Sequence, residues 1–307
     1  MKLYSVFAIA LVSVLSLLNS VTECRAQGAC CPDEFCNDGC NDGCNDGCDF
    51  GPGTLFQWSR SNAEGGPDLS SPLVTDRPDF TEATSTVGLG VTQIELGYTY
   101  TYDREGATRS RSNSFPETLI RHGILQDWLE LRVAWNYQEV TDFAGGDVKG
   151  ADDLYLGFKI ALTPQDCFLP EMALIPQVNV PTGSAGFNNH RVLLGANWVY
   201  GWELTDSVST AGSSQFNQRL DGVSGDEYVE FAQSWTVAVG LTDQWGCYCE
   251  WFALFPSGAD TELPQHYLNG GFTYLVNNDL QLDVRAGYGL NSNADDLFLG
   301  TGLSLRF

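Results

Sequence analysis

Three sets of residues in this 307-residue chain are of types that carry chemistry. Cys-Asn-Asp-Gly occurs three times in succession and is followed by Cys48, which spaces the thiols of Cys36, Cys40, Cys44 and Cys48 evenly between carboxylates. Evenly spaced thiolates hold soft cations or form disulfides. The spacing is Cys-x3-Cys throughout with no His nearby, so no zinc pattern fits and no metal is assigned. The stretch reads either as a turn-rich spacer or as a linker stapled by disulfides, within itself or to a disulfide-linked partner. The second set is His122, His190 and His266. None stands beside a nucleophile motif such as Gly-x-Ser-x-Gly, so the chain is read as no enzyme and no cofactor is expected. The third set is Glu95, Glu130, Arg132, Lys159, Glu230, Glu250, Asp283, Arg285 and Arg306, which recur on one face of alternating segments. Charges of both signs facing one interior either neutralise each other in a structural network or line a selective path.

The elements that position this third set alternate with period two. Ile94, Leu96, Tyr98, Tyr100 and Tyr102 share one face and Gln93, Glu95, Gly97, Thr99 and Thr101 the other. The same alternation runs through 128–140, 154–162, 280–288 and 297–307, and more weakly through 114–124, 171–181, 190–202, 205–216, 228–241, 246–256 and 266–276. That makes about twelve strands, most of them longer than the roughly 5–6 residues of a soluble strand and as long as the roughly 9–11 of a tilted membrane strand. Short turns near 125–127, 204–206, 242–244 and 277–279 alternate with longer polar stretches at 103–113, 141–151, 182–190, 217–227 and 257–265. The expected fold is all-β: a transmembrane antiparallel β-barrel of about twelve strands, with apolar faces towards lipid and the charged faces towards the lumen. Cys247 and Cys249 fall on an outward face and read as small apolar residues.

The amino terminus supports export. Lys2 precedes a short apolar run, and Cys24-Arg25-Ala26 supplies small residues for cleavage, so residues 1–26 read as a signal peptide. Residues 27–74 read as a Cys/Asn/Asp/Gly-rich periplasmic linker and 75–307 as an outer-membrane barrel. With 15 Lys and Arg against 39 Asp and Glu the net charge is −24, which excludes a nucleic-acid partner. The mean hydropathy of −0.14 excludes a polytopic helical membrane protein.

Thr75-Asp76-Arg77-Pro78-Asp79-Phe80, then Gln93-x-Glu95, Leu119-Ile120-Arg121-His122-Gly123 and Leu129-Glu130-Leu131-Arg132 together resemble the bacterial family of the MetA-pathway of phenol degradation. The resemblance spans about 74–307. It implies an outer-membrane barrel and a transporter, with aromatic or apolar solutes as the class its label suggests. It also implies that Asp76, Arg77 and Asp79 form a shared block that plugs or latches the periplasmic mouth; by residue type alone the same block reads equally as a capped turn before Pro78. Phe307, with Leu305 and Leu303, resembles the terminal signal read by the outer-membrane assembly machinery. The expected function is a channel for small solutes; the alternative is a closed structural or interaction barrel.

Overall fold

The computed structural model describes residues 54–56, 69–105, 108–142 and 146–307. The expected signal peptide and the cysteines of the linker lie outside the described residues. One compact unit, residues 50–165 with 170–307, is the barrel. The other includes Asp166–Leu169, a turn closed by a bridge between its end residues.

The strands are β1 (Thr92–Glu105), β2 (Thr108–Gly123), β3 (Leu129–Asp142), β4 (Gly146–Ala151), β5 (Leu154–Thr163), β6 (Glu171–Val180), β7 (Leu193–Thr205), β8 (Val208–Leu220), β9 (Glu227–Gly240), β10 (Trp245–Ser257), β11 (Gln265–Asn277), β12 (Leu280–Gly289) and β13 (Leu297–Arg306). Each pairs antiparallel with its neighbours, and β13 returns to β1 with Gln93 opposite Arg306 and Leu96 opposite Leu303. β4 and β5 both pair with β3, so they are one barrel stave interrupted at Asp152-Asp153, and the sheet closes as twelve staves, with β4 paired on its β3 side alone. The interruption has a local cause. The Asp153 carboxylate accepts the N–H groups of Gly183 and Asn189 at 2.8 and 3.0 Å and so ties the 181–192 loop to the wall.

Register fixes the faces. Glu95, Arg121, Glu130, Lys159 and Glu250 are 0–1% exposed, while Phe158, Phe216, Phe272, Val284 and Leu299 are 43–55% exposed. A charged inside within an apolar outside inverts the soluble pattern and is that of a transmembrane barrel. Cys247 and Cys249 point outward beside inward Tyr248 and Glu250.

Two of the expected loops are strand instead. β1 and β2 continue to Glu105 and Thr108, and β3 and β4 fill most of 141–151. Beyond the apolar belt both faces are polar, as in Arg109-Ser110-Arg111-Ser112, so hydropathy alternation stops while the backbone ladder continues. Asp221 ties the two loops at 221–226 and 258–264 together. Its carboxylate accepts N–H groups of Val223, Ser224 and Thr261 and the Thr261 hydroxyl at 2.7–3.0 Å. The N–H donors of Ser224, Thr261 and Val223 hold its carboxyl below the ordinary range.

Two outcomes follow. Val284→Arg places a charge at mid-wall on the lipid face and costs about 2–4 kcal/mol of barrel stability, measurable by urea unfolding in lipid. Because the Asp221 carboxyl titrates lower when folded, the stability the loop tie contributes is full above the ordinary aspartate value, declines below it, and is gone once pH falls through the lower folded value. The excess of acid-protease cleavage within 221–226 and 258–264 in Asp221→Asn over the parent, compared at each pH, therefore shrinks as pH is lowered through that range. At neutral pH, proteinase K cuts Asp221→Asn faster than the parent in the same loops; equal cutting refutes the tie.

Candidate functional site

Residues 69–91 have no regular strand pairing, contain Pro72 and Pro78, and run inside the barrel. An irregular backbone shielded from water needs other partners for its N–H and C=O groups. The inward side chains supply them. At the short-turn end, Arg306 donates to the carbonyls of Leu69 and Ser71, and Leu73 N–H donates to Asn278. Deeper in, Gln93 and Arg121 donate to the Val74 carbonyl at 2.9 and 3.0 Å, and Asp76 N–H donates to the Glu95 carboxylate. At the turn of the segment, Arg285 donates to the Pro78 carbonyl at 2.8 Å, and both oxygens of Glu250 accept the N–H groups of Phe80 and Thr81 at 2.8 and 2.7 Å. On the return, Lys159 donates to the Ala83 carbonyl, Arg121 to that of Ser85, and Val87 N–H donates to Glu130.

Asp76 is the centre of the charges. Its carboxylate meets Arg132 at 2.5 Å, Lys159 at 2.7 Å and Arg121 at 3.3 Å. Arg121 also meets Glu130 at 2.8 Å and Glu95 at 3.2 Å, and Arg132 meets Glu82 at 2.7 Å and Glu130 at 3.0 Å. Three cations thus face four carboxylates, nearly all of them excluded from solvent. Desolvated ions persist only when each has several opposite partners, and these do.

Of the expected interior charges, Glu95, Glu130, Arg132 and Lys159 meet in this network. Arg77 forms a second cluster with Asp283 at 3.3 Å and Glu117 at 3.1 Å. Its guanidinium lies over Gly97 and Gly302, where a side-chain carbon would come within 2.1 and 2.4 Å of it. Arg285 bonds Thr99 as well as Pro78. Glu230 stands apart, paired with Arg219 at 3.1 Å.

Two groups escape the sequence reading. Arg121, wholly buried, sits on the weakly alternating β2, where inward Leu119 beside outward Thr118 and His122 blurs the pattern. The other is an aromatic stack. Phe80 lies on Phe252 with ring centroids 4.6 Å apart and planes 7° from parallel, and Phe252 lies on Tyr267 at 4.6 Å, with Phe298 alongside. These rings alternate correctly but face inward, against the expectation that apolar residues face lipid.

Two cavities flank the turn of the segment. One, of about 350 Å³, opens at the short-turn end and is bounded by Arg77, Pro78, Asp79, Tyr248 and the 205–209 turn. The other, of about 300 Å³, lies towards the long-loop end, between Phe80, Phe252, Tyr267, Asn269, Arg285 and Phe298.

Residues 75–307 match the family model described as "Putative MetA-pathway of phenol degradation". No curated protein matches the chain. Among solved structures, an outer membrane channel from Pseudomonas putida F1 is similar at a TM-score of 0.63 and 14% identity, over 75% of this chain and 99% of its own. At that identity the likeness shows the fold. The NanC porin has a TM-score of 0.46 at 10% identity over 70% and 100% of the two chains. The transport unit of the autotransporter AIDA-I from Escherichia coli has 0.46 at 9% identity over 75% and 93%.

Removing the central carboxylate leaves Lys159 without an acidic partner among the described residues and takes one partner each from Arg121 and Arg132. Asp76→Asn is expected to lose about 3–5 kcal/mol of stability, read by urea unfolding. It is also expected to make the Arg77-Pro78 region of the folded barrel cleavable by a protease that does not cut the parent.

Proposed function

The chain belongs to the family described as "Putative MetA-pathway of phenol degradation", and from that premise we propose that it is an outer-membrane channel for small solutes, the segment 69–91 acting as a plug. In this reading the short-turn end faces the periplasm, the export signal delivers the chain there, and exposed Phe307 serves assembly. The observation that carries it is the pair of cavities, one towards each end, on either side of the turn of the plug at 77–81. A closed barrel without a use for its lumen has no need of them. About eight staves leave room only for side chains and about sixteen give an open pore; twelve staves with an inserted segment give a narrow one. Aromatic or apolar solutes, the class the family label suggests, suit the ring-lined outer cavity. The charged residues serve the plug backbone, so selectivity by net charge is weak.

One observation favours the alternative of a closed structural barrel: the plug is bound along both limbs by the buried ions. The two readings separate in planar bilayers. The purified full-length chain is expected to give small, discrete current steps in KCl and to admit arabinose into liposomes. Silence in both assays, with the barrel shown folded by heat-dependent gel migration, refutes the channel.

A further inference from the structure

The buried charges divide the lumen unevenly. Asp76, Glu95, Arg121, Glu130, Arg132 and Lys159 come from the plug and from β1, β2, β3 and β5, and none of them bounds either cavity. One cavity instead follows the wall from β7 to β11 and the other β10 to β13 with β1, so the wall they share, on either side of the plug turn, is β10 and β11. There the backbone is pinned on both sides, Pro78 by Arg285 and Phe80 and Thr81 by Glu250. The Phe80 ring is held differently. It carries no hydrogen bond, and its hold is the face-to-face stack on Phe252.

Two further groups stand at the same level. Tyr248 is a residue bounding the cavity at the short-turn end and Asn269 one bounding the cavity at the long-loop end. Both residues are at most 8% exposed, and neither the Tyr248 hydroxyl nor the Asn269 side-chain oxygen has a hydrogen-bond partner among the described residues. Asn269 is opposite Glu250 and Tyr248 is opposite Gly271 on adjoining strands, so they stand one step apart on the wall. Buried polar atoms without partners are costly unless something else satisfies them. Both atoms are sealed in this arrangement and come within reach of a solute only when a group covering them moves.

We propose that Phe80 is the gate of the channel: its ring swings off Phe252 about a fixed backbone, joins the two cavities along the β10–β11 wall, and lets a small solute pass between Asn269 and Tyr248 while the charged limbs of the plug stay in place. Side-chain rotation about a fixed main chain is faster than release of a segment held by several buried ion pairs. This inference rests on the channel reading and adds to it the path and the moving part.

The test uses full-length protein in planar bilayers in KCl and in liposome swelling with arabinose, each variant being first shown folded by heat-dependent gel migration. Phe80→Ala is expected to raise conductance and arabinose entry several-fold, and Phe80→Trp to lower both. Tyr248→Phe lowers arabinose entry more than it lowers KCl conductance, because it removes a hydrogen-bonding station rather than the block. Asn217→Ala, on the lumen face of β8 away from the plug turn, leaves both unchanged. If the parent conducts and neither Phe80 variant differs from it, or if Asn217→Ala opens the pore as much as Phe80→Ala, the gate is refuted and the channel stands. If the parent and all variants are silent, the channel reading falls and the gate with it.

Discussion

The structure depends on one requirement: an irregular stretch of backbone enclosed in a barrel must find a partner for its peptide groups without help from bulk water. A strand in the wall meets that need through its neighbours. Residues 69–88 have no neighbouring strand, and only Leu89–Val91 meet the end of β2 at Gly123, so the wall supplies side chains that reach the lumen axis and end in several donors or acceptors. Arginine, lysine, glutamate and glutamine fit that description. Arg121 illustrates the economy of the arrangement, since it donates to the Val74 and Ser85 carbonyls, one on each limb, while pairing with Glu95 and Glu130. The interior charges are therefore first a solvent for the plug.

Charge balance follows from the same requirement. Each carboxylate that accepts an N–H from the plug brings a desolvated negative charge, and each guanidinium that donates to a carbonyl brings a positive one. Asp76 joins the two sets because it belongs to the plug itself. Its own N–H goes to Glu95, its carboxylate goes to Arg121, Arg132 and Lys159, and one oxygen also accepts Ala83 N–H from the returning limb. One residue thus closes the loop of the plug upon itself and fastens it to β1, β2, β3 and β5. The same accounting places the protein's large excess of acid outside the lumen, in loops such as those around Asp221 and Asp260 where water screens it.

Much of this was legible in the sequence, and the limits have physical causes. Period-two alternation reports which residues share a face, so the staves and most interior charges could be placed from Glu95, Glu130-x-Arg132 and Asp283-x-Arg285. Alternation fails where the environment on the two sides is the same. In water at the rim both faces are polar, which hid the strand in 108–112 and 146–151. Deep in the lumen, beside the plug, both faces are apolar, which hid the inward rings of Phe252 and Phe298. Partnership is harder still to read. That Arg121 stands opposite Arg132 is a matter of register between β2 and β3, and like charges in that position make sense only once Asp76 and Glu130 are seen between them.

The uneven filling of the lumen follows from how the plug enters. It comes in beside Arg306 on β13 and leaves to join β1 at Thr92, so both of its limbs lean on the β1–β5 side of the barrel, and the ions needed to solvate them collect there. The far wall, β9 to β12, meets the turn at 78–81 and, through Gln281 and Asp283, the Thr75 and Arg77 side chains. Glu250 and Arg285 serve the few peptide groups that reach it, and Asp283 pairs with the Arg77 side chain. The remaining space on that side has no backbone to solvate, and aromatic rings and the two cavities occupy it. A path for solute lies where the plug makes the fewest demands on the wall, and its narrowest point lies where the plug still touches that wall, at Phe80.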